Sequence, residues 1–385
     1  MASTSSLRLP GVAHRPSRPS SGTHDRWSWG IGRLFGIEVR VHATFPLLLV
    51  WVAMNHLMAH QGLAAAAIGV AFILAVFAIV VLHELGHALT ARRFGVRTRD
   101  ITLLPIGGVA RLERMPSKPW QELLVALAGP AVNVVLALVL LLVLLAKGAV
   151  EEATSVALVG GPLLGRLLWF NVGIALFNLL PAFPMDGGRV LRSLLAMRVS
   201  YVRATDIAAR VGQVLAVVFG IVGLFSNTFL VFIALFVWVG ARAEARLARV
   251  HASLSGVPVW RAMVTRFAAV APDAHLAEVA HSMLTGFQGD LPVVDGGRLV
   301  GVLAREDVLR AAREGDQGGD VASSMRRDVP ALDADDGLDL AMDRLLASGM
   351  QSLPVVHEGQ LVGVLPMETV AYVLQTARLE GAQEA

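Results

Sequence analysis

Over its first two thirds the chain alternates long apolar runs with short basic clusters, then gives way to short apolar segments set among acidic residues. Leu63–Leu82 contains no polar side chain, and Leu123–Ala146 contains one strongly polar residue, Asn133. A hydrocarbon core about 30 Å thick is crossed by roughly 20 apolar helical residues, so both runs predict membrane spans. Val41–Met58 and Leu167–Phe183 predict two weaker ones. The uncharged run Val211–Ala241 would extend about 46 Å as one helix at 1.5 Å per residue, too long for an upright span and rather short for two. The turn-forming Ser226, Asn227 and Thr228 within it favour two, which makes about six spans.

The basic clusters set the direction. With the N-terminus inside, the outer segments are 59–63, 147–166 and 226–228, which carry only Lys147 and Arg166 of the 23 Lys/Arg in residues 1–256. Arg92–Arg99, Arg111–Lys118, Arg189–Arg210 and Arg242–Arg249 then all fall inside, the bias that orients membrane helices. An odd number of spans would destroy it. Residues 1–26 are rich in Ser, Pro and Arg and hold no apolar stretch with a cleavage site, so they read as a disordered cytoplasmic leader. The expected protein is a polytopic α-helical one in the cell membrane, with both termini cytoplasmic. Between spans two and three, Arg97–Leu112 mixes apolar β-type residues with Pro105, Gly107 and Gly108. A hairpin or re-entrant loop and a plain cytoplasmic turn fit it equally.

Composition agrees with this picture. The 385 residues are 55% hydrophobic and 16% charged, with a mean hydropathy of +0.61. Residues 1–256 hold 23 basic and 11 acidic side chains, a balance of +12, and residues 257–385 hold 10 and 19, a balance of −9. The basic pI near 9.9 therefore does not indicate a nucleic-acid partner, because the positive charges lie between apolar runs. There is no cysteine, so any metal must be held by histidine and carboxylate.

His83-Glu84-Leu85-Gly86-His87 closes the second apolar run. Residues four apart share a helix face, so both imidazoles can reach one tetrahedral ion. Glu84 lies about 100° round the helix, off the ligand face yet close enough to take a proton from a water beside the ion. Ionisable groups within a membrane helix are costly and are functional by default; the plain alternative is a trio of helix-end residues snorkelling to the interface. Two histidines make half a site, since a catalytic zinc has three protein ligands and an open position. Asn178-Leu-Leu-Pro181-Ala-Phe-Pro184-Met-Asp186-Gly187-Gly188 offers the rest. Pro181 and Pro184 should unwind span four, which membrane proteins tolerate where backbone lines a cavity. Asp186 follows the break directly and is a candidate third ligand.

With these motifs the chain resembles the site-2 protease family of intramembrane zinc metalloproteases, of the M50 type, in the branch bearing cystathionine-β-synthase (CBS) domains. The family's H-E-x-x-H stands at His83–His87, its Gly-x-x-x-Asn at Gly129–Asn133, and its Asn-x-x-Pro-x-x-Pro-x-Asp-Gly at Asn178–Gly187, in the family's order. The resemblance covers about residues 27–246. It implies one Zn2+ per chain with Asp186 as third ligand, and Asn178 holding the substrate or polarising its carbonyl. It also implies hydrolysis of membrane-anchored protein substrates in the lipid bilayer (regulated intramembrane proteolysis) and a hairpin near Gly107 that admits substrate as an added strand.

After a linker at 247–256, the segment Leu291–Leu303 recurs as Leu353–Leu365, an offset of 62 that also relates Met263 to Met325 and Leu276 to Leu338. Each copy reads as a helix, two short strands joined by a Gly-containing turn, and a second helix. One copy has too small a core to stand alone, so the two should pack together. This resembles a soluble α/β CBS pair at 257–314 and 319–379, which together with a short end segment at 380–385 forms the tail of the chain. Such pairs often bind adenine nucleotides through a Ser/Thr and an Asp after the second strand. Here Asp307 matches the Asp and Ala304 replaces the hydroxyl residue, while Pro366 and Thr369 replace both in the second copy. A degraded nucleotide site near Asp307 and a structural or dimerising module both remain open, and weak or no nucleotide binding is expected. A CBS-gated channel or transporter is the competing function. It explains the tail, but not two histidines at helical spacing with an adjacent Glu and a distant Asp.

Overall fold

The computed structural model describes residues 27–105, 107–112, 116, 118–154, 161–285, 288–314 and 319–383. The expected leader at 1–26 lies outside them. The chain divides into two compact units, one mainly of residues up to Val257, the other mainly of Pro258–Asp336 and Leu340–Ala371.

In the first unit, strands β1 (Ser28–Leu34) and β2 (Ile37–His42) precede helices α1 (Thr44–Met58) and α2 (Gly62–Arg93). The hairpin β3 (Thr98–Leu104) and β4 (Gly107–Leu112) follows, then α3 (Pro119–Ala146) and the short α4 (Val150–Thr154). Helices α5 (Leu163–Asn178), α6 (Asp186–Ala196), α7 (Tyr201–Ser226) and α8 (Thr228–Leu254) complete it. Among the described residues four helices, α2, α3, α7 and α8, are long and apolar enough to cross a membrane, and α1 and α5 are shorter apolar helices. Their outward faces carry exposed Leu, Val and Phe, such as Leu142, Val214, Phe225 and Phe232, surface that only an apolar solvent accepts at this extent. The run at 211–241 does break at Asn227, whose side chain accepts the Phe229 N–H as an N-cap. Each half then lengthens to 26 or 27 residues by adding charged turns, which removes the difficulty that the run was short for two spans.

Two boundaries differ from expectation. Val41 belongs to β2, because Ile37, Val39 and Val41 turn inward in alternation and the helix starts only at Thr44. The fourth apolar helix begins early, at Leu163, and stops at Asn178, ahead of the two prolines. Arg97–Leu112 is a hairpin, with Leu104 opposite Gly107. The sheet order is β1-β2-β3-β4, with β2 and β3 parallel and the other pairs antiparallel. Ile37, Val39, Val41, Ile101 and Leu103 pack on Phe77, Val80, Val81 and Leu85 of α2. The sheet therefore rests on the stretch of α2 that carries the histidines.

In the second unit the repeat is structural. Copy one comprises α9 (Leu276–Thr285), β5 (Asp290–Asp295), β6 (Arg298–Ala304) and α10 (Arg305–Glu314). After α11 (Val321–Ser324) and β7 (Leu332–Asp333), copy two comprises α12 (Leu338–Ser348), β8 (Ser352–His357), β9 (Gln360–Pro366) and α13 (Met367–Gln383). Even the bulges match, at Val293/Val294 and Val355/Val356. Residues ahead of each copy cross to the other: Val264 bridges to Val364, and Arg326 to Val302. This exchange explains why neither copy is complete alone.

Candidate metal centre

Helix α2 presents His83 and His87 on one face, with their Nε2 atoms 3.1 Å apart. The third group comes from 99 residues beyond His87. With α5 ended before Pro181, the chain turns through a loop in which Ala182 and Phe183 are fully buried. Ala182 and Met185 pack with Ala216 and Val237, and Phe183 with Ala208, Ala209, Ala241 and Ala245, so α7 and α8 hold the loop. It delivers Asp186 as the first residue of α6. Asp186 Oδ2 lies 3.3 Å from His83 Nε2 and 3.1 Å from His87 Nε2, and all three residues are buried.

The far side of each imidazole is engaged too. His83 Nδ1 meets Asn133 Oδ1 at 2.5 Å, and His87 Nδ1 meets the Val125 carbonyl at 2.7 Å. Asn133 Nδ2 donates to Asn171 Oδ1 (3.1 Å), and Asn171 Nδ2 donates to the Leu167 carbonyl (2.9 Å). Because both partners of the Nδ1 atoms are oxygens, each neutral ring donates through Nδ1 and turns a lone pair outward at Nε2. Two nitrogen lone pairs and a carboxylate oxygen then converge with no donor among them, an arrangement that a cation resolves.

The spacing fits zinc. Ligands about 2.05 Å from a tetrahedral ion stand roughly 3.3 Å from one another, against the observed 3.1–3.3 Å. Helix α3 leaves the room: a Cβ at Gly129 would collide with Nε2 of both His83 and His87. Glu84 is only partly buried. Gly108 of β4 lies against it, since a Cβ there would stand 3.1 Å from Glu84 Cγ and 2.8 Å from Val80 Cγ1. The hairpin backbone therefore borders the acid.

A sequence profile of Peptidase family M50 matches residues 71–160 and 148–219, and one of the CBS domain matches 257–314 and 319–375. The zinc metalloprotease MJ0392 of Methanocaldococcus jannaschii is 38% identical over 272 residues, covering 70% of this chain and 76% of that one. The chain belongs to peptidase family M50. It is a zinc metalloprotease of the site-2 protease family with tandem CBS domains. The relative sll0528 of Synechocystis sp. is 30% identical and covers 90% of this chain and 95% of its own, so the match extends into the second CBS domain. The solved site-2 protease from Methanocaldococcus jannaschii matches at 37% identity, covering 57% of this chain and 96% of that one, with a TM-score of 0.42.

In this M50 peptidase the other candidates fall elsewhere. Asn178 ends α5 and donates its amide to the Ile174 carbonyl of its own helix at 3.0 Å. Asp307 sits at the start of α10 and is ion-paired to Arg326 (2.6 Å) and to Arg310. Two groups behind the trio were not foreseen from the sequence, the Val125 carbonyl on His87 and Asn171, which holds Asn133 in turn. Asn171 carried a usable signal, as a polar residue inside an apolar run, and the Val125 carbonyl carried none, because any residue supplies one.

Proposed function

We propose that His83, His87 and Asp186 hold one zinc ion per chain. With it, this M50 peptidase hydrolyses peptide bonds in or near the transmembrane segment of membrane-anchored proteins, as in regulated intramembrane proteolysis. The observation that carries this reading is the convergence of three buried acceptor atoms, with both Nδ1 groups anchored, among helices whose outward faces are apolar. Zinc, when bound, supplies Lewis acidity toward the scissile carbonyl and the attacking water. Glu84 takes the proton from that water and delivers it to the leaving nitrogen as the C–N bond breaks. Asn178 contributes to substrate binding once its amide leaves Ile174.

A helical peptide bond is shielded by its neighbours, so the substrate must enter extended. β4 ends the sheet order among the described residues and lies on Glu84. A substrate strand added at its free edge would run past the proton acceptor. Both termini and the site's open side face the cytoplasm in this reading, and the CBS pair serves as a regulatory or dimerising module. The test is cleavage of a panel of single-span substrates by purified wild type and Glu84→Gln. The variant should retain its zinc and lose about 10²–10⁴-fold in kcat. Cleavage at the wild-type rate would remove Glu84 from the mechanism.

A further inference from the structure

Helix α3 buries a stripe made of Glu122, Val125, Gly129 and Asn133, at intervals of three and four residues that keep them on one side. Three of the four already face the trio. The Val125 carbonyl holds His87, Asn133 holds His83, and Gly129 leaves the space between the two Nε2 atoms. Glu122 touches none of these and holds Arg192 of α6 instead. Arg192 donates through Nε (2.8 Å) and through Nη2 to Glu122 Oε1, and through Nη1 to Glu244 Oε2 of α8 (3.2 Å). Arg192 and Glu122 are 2% and 1% exposed. The guanidinium carbon also stands 5.0 Å from the ring centres of both Phe183, in the loop before α6, and Tyr201, at the start of α7.

A buried ion pair is a poor way to gain stability, because apolar residues of equal volume pack as well or better. What it supplies is register: a planar guanidinium meets a carboxylate in few orientations. Asp186 opens the same helix, about 9 Å away at 1.5 Å per residue, with no break between. We propose that Glu122 and Arg192, assisted by Glu244, are positioning residues. They fix α6 against α3, the helix that orients both histidines, and so set Asp186 at its distance from them. The proposal rests on the reading that the trio holds zinc.

The test uses the full-length enzyme in detergent, as wild type, Glu122→Gln, Arg192→Lys, Glu244→Gln and Asp186→Ala. Zinc retention against a graded chelator is measured alongside the visible absorption of the cobalt-substituted protein and thermal unfolding. Glu122→Gln and Arg192→Lys should release zinc at about 10–100-fold lower chelator strength and alter the cobalt band in the folded protein. Glu244→Gln, which keeps the inner pair, should fall between them and wild type. A merely structural role would lower the unfolding temperature and leave the band unchanged, and that result would overturn the proposal. If Glu122→Gln or Arg192→Lys fails to fold, Glu244→Gln decides: wild-type retention and band there also overturn it. Zinc retained by Asp186→Ala would instead defeat the ligand assignment, and the positioning role with it.

Discussion

Each half of the chain brings three ligand-type groups within 4.8 Å: His83, His87 and Asp186 in the membrane half, and Asp333, Asp335 and His357 in the tail. The first set is buried and the second exposed. In the tail, the Asp335 N–H donates to Asp333 Oδ1 at 3.0 Å, a local turn contact, and solvent screens the remaining charge. In the membrane half both rings are tied from behind by Asn133 and Val125, and the three groups are buried. Proximity alone costs little at a surface. A site is marked by desolvated acceptors that are oriented from behind and have nothing but an ion to satisfy them.

The largest effects should therefore separate the two sets. Asp186→Ala is expected to take the zinc content of the purified protein from one per chain to near zero and to abolish cleavage. The double variant Asp333→Asn/Asp335→Asn should leave both at wild-type values. Metal analysis after gel filtration reads the difference, and zinc lost from the tail variant would break the comparison. A smaller effect should come from behind the ligands: Asn133→Ala should weaken zinc retention about 10–100-fold, as read by chelator competition. Retention equal to wild type would show that the ring orientation is set elsewhere.

Much of this contrast was legible before the fold was known, for unequal reasons. His83 and His87 declare themselves because four residues make one helical turn. The 62-residue repeat declares itself because two copies of one unit must share a pattern. Asp186 was suggested by the proline-broken run, but no spacing rule brings together residues 99 positions apart; that takes the loop held by α7 and α8. Val41 misled, since hydropathy averages over side-chain direction and a strand running into a helix reads as one apolar run. Arg192 misled more deeply. It sits among Arg189–Arg210, which as a cluster reads as cytoplasmic surface, and Glu122 stands just outside an apolar run. Each has the signature of a solvated helix-end charge, and only tertiary packing buries the two together.

The tail has its own buried acid. Asp290 accepts the N–H groups of Gln351 (2.8 Å) and Ser352 (2.9 Å) from the other copy, and burial raises its pKa above the usual carboxylate value. With the folded value above the unfolded one, its contribution to stability is present at low pH and is lost as pH rises through the folded value. Hydrogen exchange in β5 and β8, followed between about pH 4 and 7, should therefore quicken more steeply in wild type than in Asp290→Asn, after correction for intrinsic exchange. Equal slopes would show that the two N–H donors fully offset the burial.

The smallest expected effect is none, and it bears on what the tail can bind. A ribose reaching Asp307 would have to displace Arg326, whose Nε lies 2.6 Å from Oδ2, and Arg310 on Oδ1, from a residue that is 5% exposed. Charge-assisted pairs of this kind are stronger than the neutral hydrogen bonds a sugar offers. Ala304 also supplies no hydroxyl on the same side. Millimolar AMP should therefore leave the unfolding temperature of the full-length protein unchanged, whereas Arg326→Ala, by releasing one oxygen of Asp307, should make a small nucleotide-dependent rise measurable. A rise in wild type as large as in the variant would mean that the ion pair opens readily. The tail would then differ from the metal site in having a ligand still to be found, and no longer in lacking the means to hold one.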